Sequence, residues 1–126
     1  MTQTPPPQVW PTFGARDARA LIRFLVDAFG FEETVVYGEG DRVDHAELSW
    51  PPGGGVMLGS SGTSAPGTFR AYVVCDDPDA LFNRAVENGA AVASGPADKD
   101  YGSRDFSVRD PEGNQWTFGT YRGHPR

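Results

Sequence analysis

Cysteine is nearly absent from this chain. Cys75 is the only one among 126 residues, so no intrachain disulfide can form. Its setting, AYVVC at 71–75, is apolar, and a buried, inert thiol is expected there rather than a reactive one. Histidine is almost as scarce. Of the two, His124 stands in the tail, which leaves His45 as the one imidazole of the folded part. That count excludes a two-His-one-carboxylate metal triad built from one domain. Eleven basic residues face seventeen acidic ones, for a net charge of −6, and the basic residues are scattered. The basic stripe of a nucleic-acid binder is missing, and an acidic surface disfavours phosphate backbones. No apolar run approaches the ~20 residues of a membrane-spanning helix. MTQTPPPQ lacks the basic-then-apolar order of a secretory signal. A cytoplasmic protein with neither nucleic acid nor membrane as a partner is expected.

What is abundant is turn chemistry. Sixteen Gly and eleven Pro punctuate a chain that is 38% hydrophobic and 22% charged, a profile that fits one soluble domain. Residues 1–7 read as a mobile, polar leader. A strand follows at about 8–13, made irregular by Pro11, which cannot donate to a ladder. Leu21, Ile22, Leu25, Ala28 and Phe29 recur at helical spacing, so a helix is expected over 17–29, with Gly30 as its left-handed stop. Strands are expected at about 32–38, 43–50 and 54–59, separated by GEGD and PPGGG, with 60–67 as loop or linker. The order then repeats. A strand at 69–75 leads to Asp77-Pro78, an N-cap with Pro at the first helical position. The second helix, about 78–88, carries Leu81, Phe82, Ala85 and Val86 on one face. Strands at about 90–94, 104–109 and 114–121 precede a tail at 123–126.

A shift of about 60 residues superposes the halves. Asp17 falls on Asp77, Leu21 on Leu81 and Gly59 on Gly119. The economical description is an α+β fold, a single domain over 8–122 made of two tandem βαβββ units (about 8–59 and 69–121) that form a cleft-lined mixed sheet. Side chains alternate along a strand, so each strand can be sorted by face. Val9, Phe13, Val56, Leu58, Ala71, Val73, Trp116 and Phe118 suit the helix-packed core. Trp10, Thr12, Met57, Arg70, Tyr72 and Thr117 then line the helix-free face.

The stretches LIRFLVDAFGFEE, VDHAELSWPPGGGVMLG, DDPDALFNRAVENGA and YGSRDFSVRDPEGNQWTFGTY resemble the vicinal oxygen chelate superfamily of glyoxalase, bleomycin-resistance and dioxygenase-like proteins. Its metal enzymes place His and Glu ligands at four cleft positions. Here the resemblance puts those positions at Trp10, Met57 (or Leu58), Arg70 and Thr117. None is an ordinary ligand for a hard or borderline divalent cation, so neither a metal nor another cofactor is expected.

The resemblance implies a small-molecule binding protein, built like bleomycin-resistance proteins, that sequesters a planar or aromatic ligand in clefts of a homodimer, often with exchanged units. Trp10, Thr12, Met57, Arg70, Tyr72, Arg104 and Thr117 are the expected ligand contacts. Aromatic packing and structural salt bridges are the competing readings for them, with Asp105 or Glu47 as a partner for Arg70. The alternative is a lyase, isomerase or dioxygenase-like enzyme with a non-standard site. His45 or Glu47 would then be the base and Arg70 would stabilise an oxyanion. A partner-binding domain with a plugged cleft is a third reading. Asp98, Asp100, Asp105, Asp110 and Glu112 read as solvated surface, and DPEGN at 110–114 as a turn.

Overall fold

The computed structural model describes residues 6–61 and 67–125. Most of the expected mobile leader, the centre of the expected linker and the last residue of the tail lie outside the described residues. The first unit runs β1 (Thr12–Ala15), α1 (Ala18–Phe24), β2 (Glu32–Glu39), β3 (Arg42–Ser49) and β4 (Gly55–Ser60). The second runs β5 (Arg70–Val74), α2 (Pro78–Glu87), β6 (Ala91–Asp98), β7 (Arg104–Arg109) and β8 (Gln115–Gly119). Helix α1 continues into a π-helical turn, Leu25–Phe29, which Gly30 ends at φ 91°. Each helix begins at an aspartate. Asp17 accepts from Ala20 N and Asp77 from Ala80 N, both at 3.1 Å, satisfying an amide that the first helical turn leaves unpaired.

Each unit forms its own four-stranded mixed sheet, in the orders β1-β4-β3-β2 and β5-β8-β7-β6. The 60-residue repeat holds at the level of single hydrogen-bonded neighbours. Thr12 lies opposite Met57, and Tyr72 opposite Thr117. Ala46 faces Leu58, and Phe106 faces Phe118. The irregular start is visible too. Pro11 precedes the ladder, so β1 begins only at Thr12, and Val9, expected in the core, is 82% exposed. Val86, expected on the packed face of α2, is instead 41% exposed, because α2 meets the core through Pro78, Leu81, Phe82 and Ala85.

The two helix-bearing sides share one core. Phe29, from the end of the first helix, packs on Trp116 and Phe118 of the second sheet, with ring centroids 5.5 and 4.7 Å apart. Phe13 stacks on Phe69 at 4.1 Å. The indole N–H of Trp50 donates to Val74 O at 3.0 Å, and Arg84 donates to the carbonyls of Asp27 and Val26 at the end of the first helix. Aromatic pairs at these spacings contribute beyond their buried area. Because the helix-packed faces meet each other, the helix-free faces of the two sheets are turned outward.

Two acidic residues expected at the surface are instead structural. Asp110 is 5% exposed. It accepts from Trp116 Nε1 at 2.8 Å, Asn114 Nδ2 at 3.0 Å, Asn114 N at 3.0 Å and Glu112 N at 2.9 Å. The buried indole and amide need an acceptor, and a carboxylate with two oxygens serves several donors at once. Glu112, at the tip of the same turn, accepts from Arg16 N at 2.8 Å and Asp17 N at 3.1 Å. It joins the last hairpin to the entrance of the first helix.

Candidate functional site

The helix-free face of the first sheet is assembled by register. Thr12, Met57 and Glu47 sit side by side on β1, β4 and β3. His45 lies one step along β3, and its Nε2 is 2.8 Å from Glu47 Oε2. Tyr37 of β2 lies opposite His45 with its ring nearly parallel. Trp10 precedes β1 and lays its indole over Gly55. A Cβ at that glycine would stand 2.9 Å from the ring, so the close approach requires glycine. The indole N–H donates to Pro7 O at 3.1 Å.

The corresponding face of the second sheet carries Tyr72, Thr117 and Ser107 in one row and Arg70, Gln115 and Arg109 in the next. A recess of about 280 Å³ is lined by Arg70, Ala71, Tyr72, Gln115 and Thr117. Thr117 Oγ1 and Ser107 Oγ are 2.7 Å apart and share a hydrogen bond. The Tyr72 phenol donates to Tyr121 O at 2.8 Å, so the side chain offers the site a ring face rather than a polar tip.

One end of this face is closed. The Tyr72 hydroxyl lies over Gly119, where a Cβ would come within 2.7 Å of that oxygen and of Asp105 Cβ. Asp105, also expected at the surface, is 5% exposed. It accepts from the Tyr101 hydroxyl at 2.7 Å, and Lys99 Nζ approaches to 3.8 Å. That hydrogen bond, with some desolvation and the Asp105 charge, pushes the Tyr101 phenol up to about 12. Tyr101 and Tyr121 meet edge-on at 5.9 Å.

Of the residues singled out from the sequence, Thr12, Met57, His45 and Glu47 come together on one face, with Trp10 at its rim. Arg70, Tyr72 and Thr117 come together on the other. Arg104 joins neither group. Its guanidinium is held by Asp79 at 2.9 Å through two nitrogens and by Asp98 at 3.2 Å. These bonds raise its pKa and lower that of Asp79. Neither Asp105 nor Glu47 pairs with Arg70: Tyr101 holds the first and His45 the second. Ser107 and Gln115 escaped the sequence reading, although the repeat carried a signal for Ser107, which stands 60 residues after Glu47.

The four positions that the family resemblance assigns to metal ligands carry Trp10, Met57, Arg70 and Thr117. They supply no carboxylate, thiolate or imidazole, and a guanidinium opposes a divalent cation. Among the described residues no three His, Cys, Asp or Glu side chains gather at one point. This donor set does not fit the metal.

Comparison with known proteins agrees with this architecture. The chain is 32% identical to the uncharacterised protein Mb0911c of Mycobacterium bovis, over 90% of this chain and 82% of that protein. It is likewise 32% identical to Rv0887c of Mycobacterium tuberculosis, over 90% of this chain and 74% of that protein. Among solved structures, TioX from Micromonospora sp. ML1 superposes with a TM-score of 0.76 at 25% identity, over 95% of this chain and all of that one. An integron cassette protein from the mobile metagenome of V. cholerae superposes at 0.69 and 17% identity, over 96% of this chain and 99% of that one. A sequence profile matches residues 9–118, the span of both units. With its paired βαβββ units, the chain belongs to the Glyoxalase/Bleomycin resistance protein/Dioxygenase superfamily.

Proposed function

We propose that the chain is a metal-independent binding protein for a small planar or aromatic molecule, acting as a homodimer by sequestration in the manner its family's name associates with bleomycin resistance. The observation that carries this reading is the side-chain set Trp10, Met57, Arg70 and Thr117 at the superfamily's ligand positions. It is poor for a cation and suited to an organic molecule, since apolar and aromatic walls with few polar groups are the usual lining of small-molecule sites. The outward-turned faces support the dimer. Each copy holds two half-sites that do not face each other. A second copy seated so that its second sheet covers the first sheet of its partner completes two clefts. The acidic chain would do this in the cytoplasm.

Elemental analysis with thermal melting tests the metal-free reading. The protein is expected to lack stoichiometric metal, to melt unchanged in chelator and to be stabilised by compounds from an aromatic library. Stoichiometric Zn, Ni, Mn or Fe whose removal lowers the melting temperature would overturn it. Light scattering is expected to give twice the 13.6 kDa chain mass, and a monomer at micromolar concentration would refute the shared cleft.

One observation favours a second reading. The His45–Glu47 contact of 2.8 Å places an imidazole and a carboxylate together on a cleft face, an arrangement able to accept a proton from a bound carbon acid. Turnover lost in His45→Ala with ligand binding intact would favour the enzyme. Unchanged turnover in that variant would remove it.

A further inference from the structure

Resting on that binding reading, we infer that the ligand carries an anionic group, of which an aromatic carboxylate is the simplest form, with the anion on Arg70 and the ring against Tyr72. Six of the described arginines have engaged side chains: Arg42 by Asp44, Arg104 by Asp79 and Asp98, Arg122 by Asp76, and Arg19, Arg84 and Arg109 by backbone carbonyls. Arg70 is not so held, and it lines the recess of the second sheet. It is exposed at the mouth of the recess and makes no hydrogen bond or ion pair with another described residue. A guanidinium offers five N–H donors in a fork that matches a carboxylate.

The recess around it has the character of an anion site. None of Arg70, Ala71, Tyr72, Gln115 and Thr117 is acidic. Glu47 and Asp105, the carboxylates beside the two central rows, are already held, Glu47 by His45 and Asp105 by Tyr101 with Lys99 nearby. The Gln115 side chain supplies a further N–H pair. Thr117 and Ser107 use one hydroxyl hydrogen between them, which leaves the other to donate. The Tyr72 hydroxyl is committed to Tyr121 O, so its half-exposed ring is the apolar surface beside these donors. A protein of net charge −6 thus presents a local set of donors and one unpaired cation. The net charge alone would favour a cationic ligand; these local donors favour an anionic one.

The test uses three probes with one ring system: naphthalene-2-carboxylate, naphthalene-2-carboxamide and 2-naphthylmethylammonium. Each is titrated into the 126-residue protein while the backbone amides of Gln115, Thr117 and Gly119 are followed by NMR. The carboxylate is expected to bind at least ~10-fold more tightly than the amide, the scale of a charge-assisted bidentate bond, and more tightly still than the ammonium. The advantage is expected to shrink as salt is raised. Arg70→Gln is expected to bring the carboxylate down to the affinity of the amide and leave the amide unchanged. Equal binding of carboxylate and amide, or a carboxylate preference that survives Arg70→Gln, would overturn the anion assignment while leaving aromatic binding in place. Failure of all three probes to move these amides would instead overturn the binding reading itself.

Discussion

Replacing Asp110 by alanine tests how the DPEGN turn is built. The carboxylate is 5% exposed and serves the Trp116 indole, the Asn114 side chain and backbone, and the Glu112 amide. Trp116 is wholly buried, so its N–H would lose its acceptor inside the core. A buried donor left unpaired costs about 1–3 kcal/mol. Glu112 N lies near the surface and can turn to solvent. The Trp116 indole and the two Asn114 donors cannot do so without moving, and Asn114 also fixes Phe69 N at 3.1 Å. The expected loss is therefore about 3–5 kcal/mol, a large part of the roughly 5–15 kcal/mol typical of a domain. With a urea slope near 2 kcal/mol per molar for a small protein, the midpoint should fall by about 2 M. Urea titration at one fixed protein concentration, read by tryptophan fluorescence, measures this, because dimerisation would otherwise contribute to stability. Asp110→Asn keeps one acceptor oxygen and should cost about half as much. A loss below about 1 kcal/mol in Asp110→Ala would refute the account, since it would mean that these donors find other partners.

Gly119→Ala should cost about 1–3 kcal/mol by overpacking, and Tyr72→Phe in the same chain should not restore stability, because Asp105 Cβ would still be 2.7 Å away. Unchanged thermal melting would contradict the closed end of the cleft. Burial first, then the charges of Asp76 and Asp77, pushes the Cys75 thiol up to about 11. A thiol reagent at pH 8 should therefore label the folded protein far more slowly than the urea-unfolded chain, and comparable rates would contradict the packing around Cys75. The Tyr101 phenol is held up to about 12 by Asp105, above its unfolded value near 10. Its stabilising contribution is complete below pH ~10 and is lost as pH rises toward 12. Ultraviolet titration should show one late-ionising tyrosine that disappears in Tyr101→Phe, and a single step for all tyrosines would contradict the hydrogen bond.

The repeat was legible because each unit obeys the same local rules. Asp17 and Asp77 cap equivalent helices with the same 3.1 Å bond. The alternation in WTF and VML sorted Trp116, Phe118, Val56 and Leu58 inward, and the four are 0–4% exposed. Alternation failed at Val9 because it presumes a ladder, and Pro11 delays the ladder to Thr12. The acidic residues misled for a different reason. Asp105 and Asp110 are buried by partners only four and six residues away in the chain, the Tyr101 phenol and the Trp116 indole, whose direction an acidic composition does not reveal. The two outward faces were legible as faces of strands. That they turn away from each other was not, because it depends on how the units pack through Phe29, Trp116 and Phe118.

Glu112 has a consequence for the order in which the molecule can form. The first helix and its cap at Asp17 lie near the start of the chain, yet the amides of Arg16 and Asp17 find their acceptor 96 and 95 residues later. During synthesis from the N-terminus, the first unit must wait with that entrance open until nearly the whole second unit has been made. Contacts of such sequence separation slow folding because the chain must be closed before they contribute. The final hairpin therefore acts as a latch: the first unit reaches its finished form only after the second has folded against it.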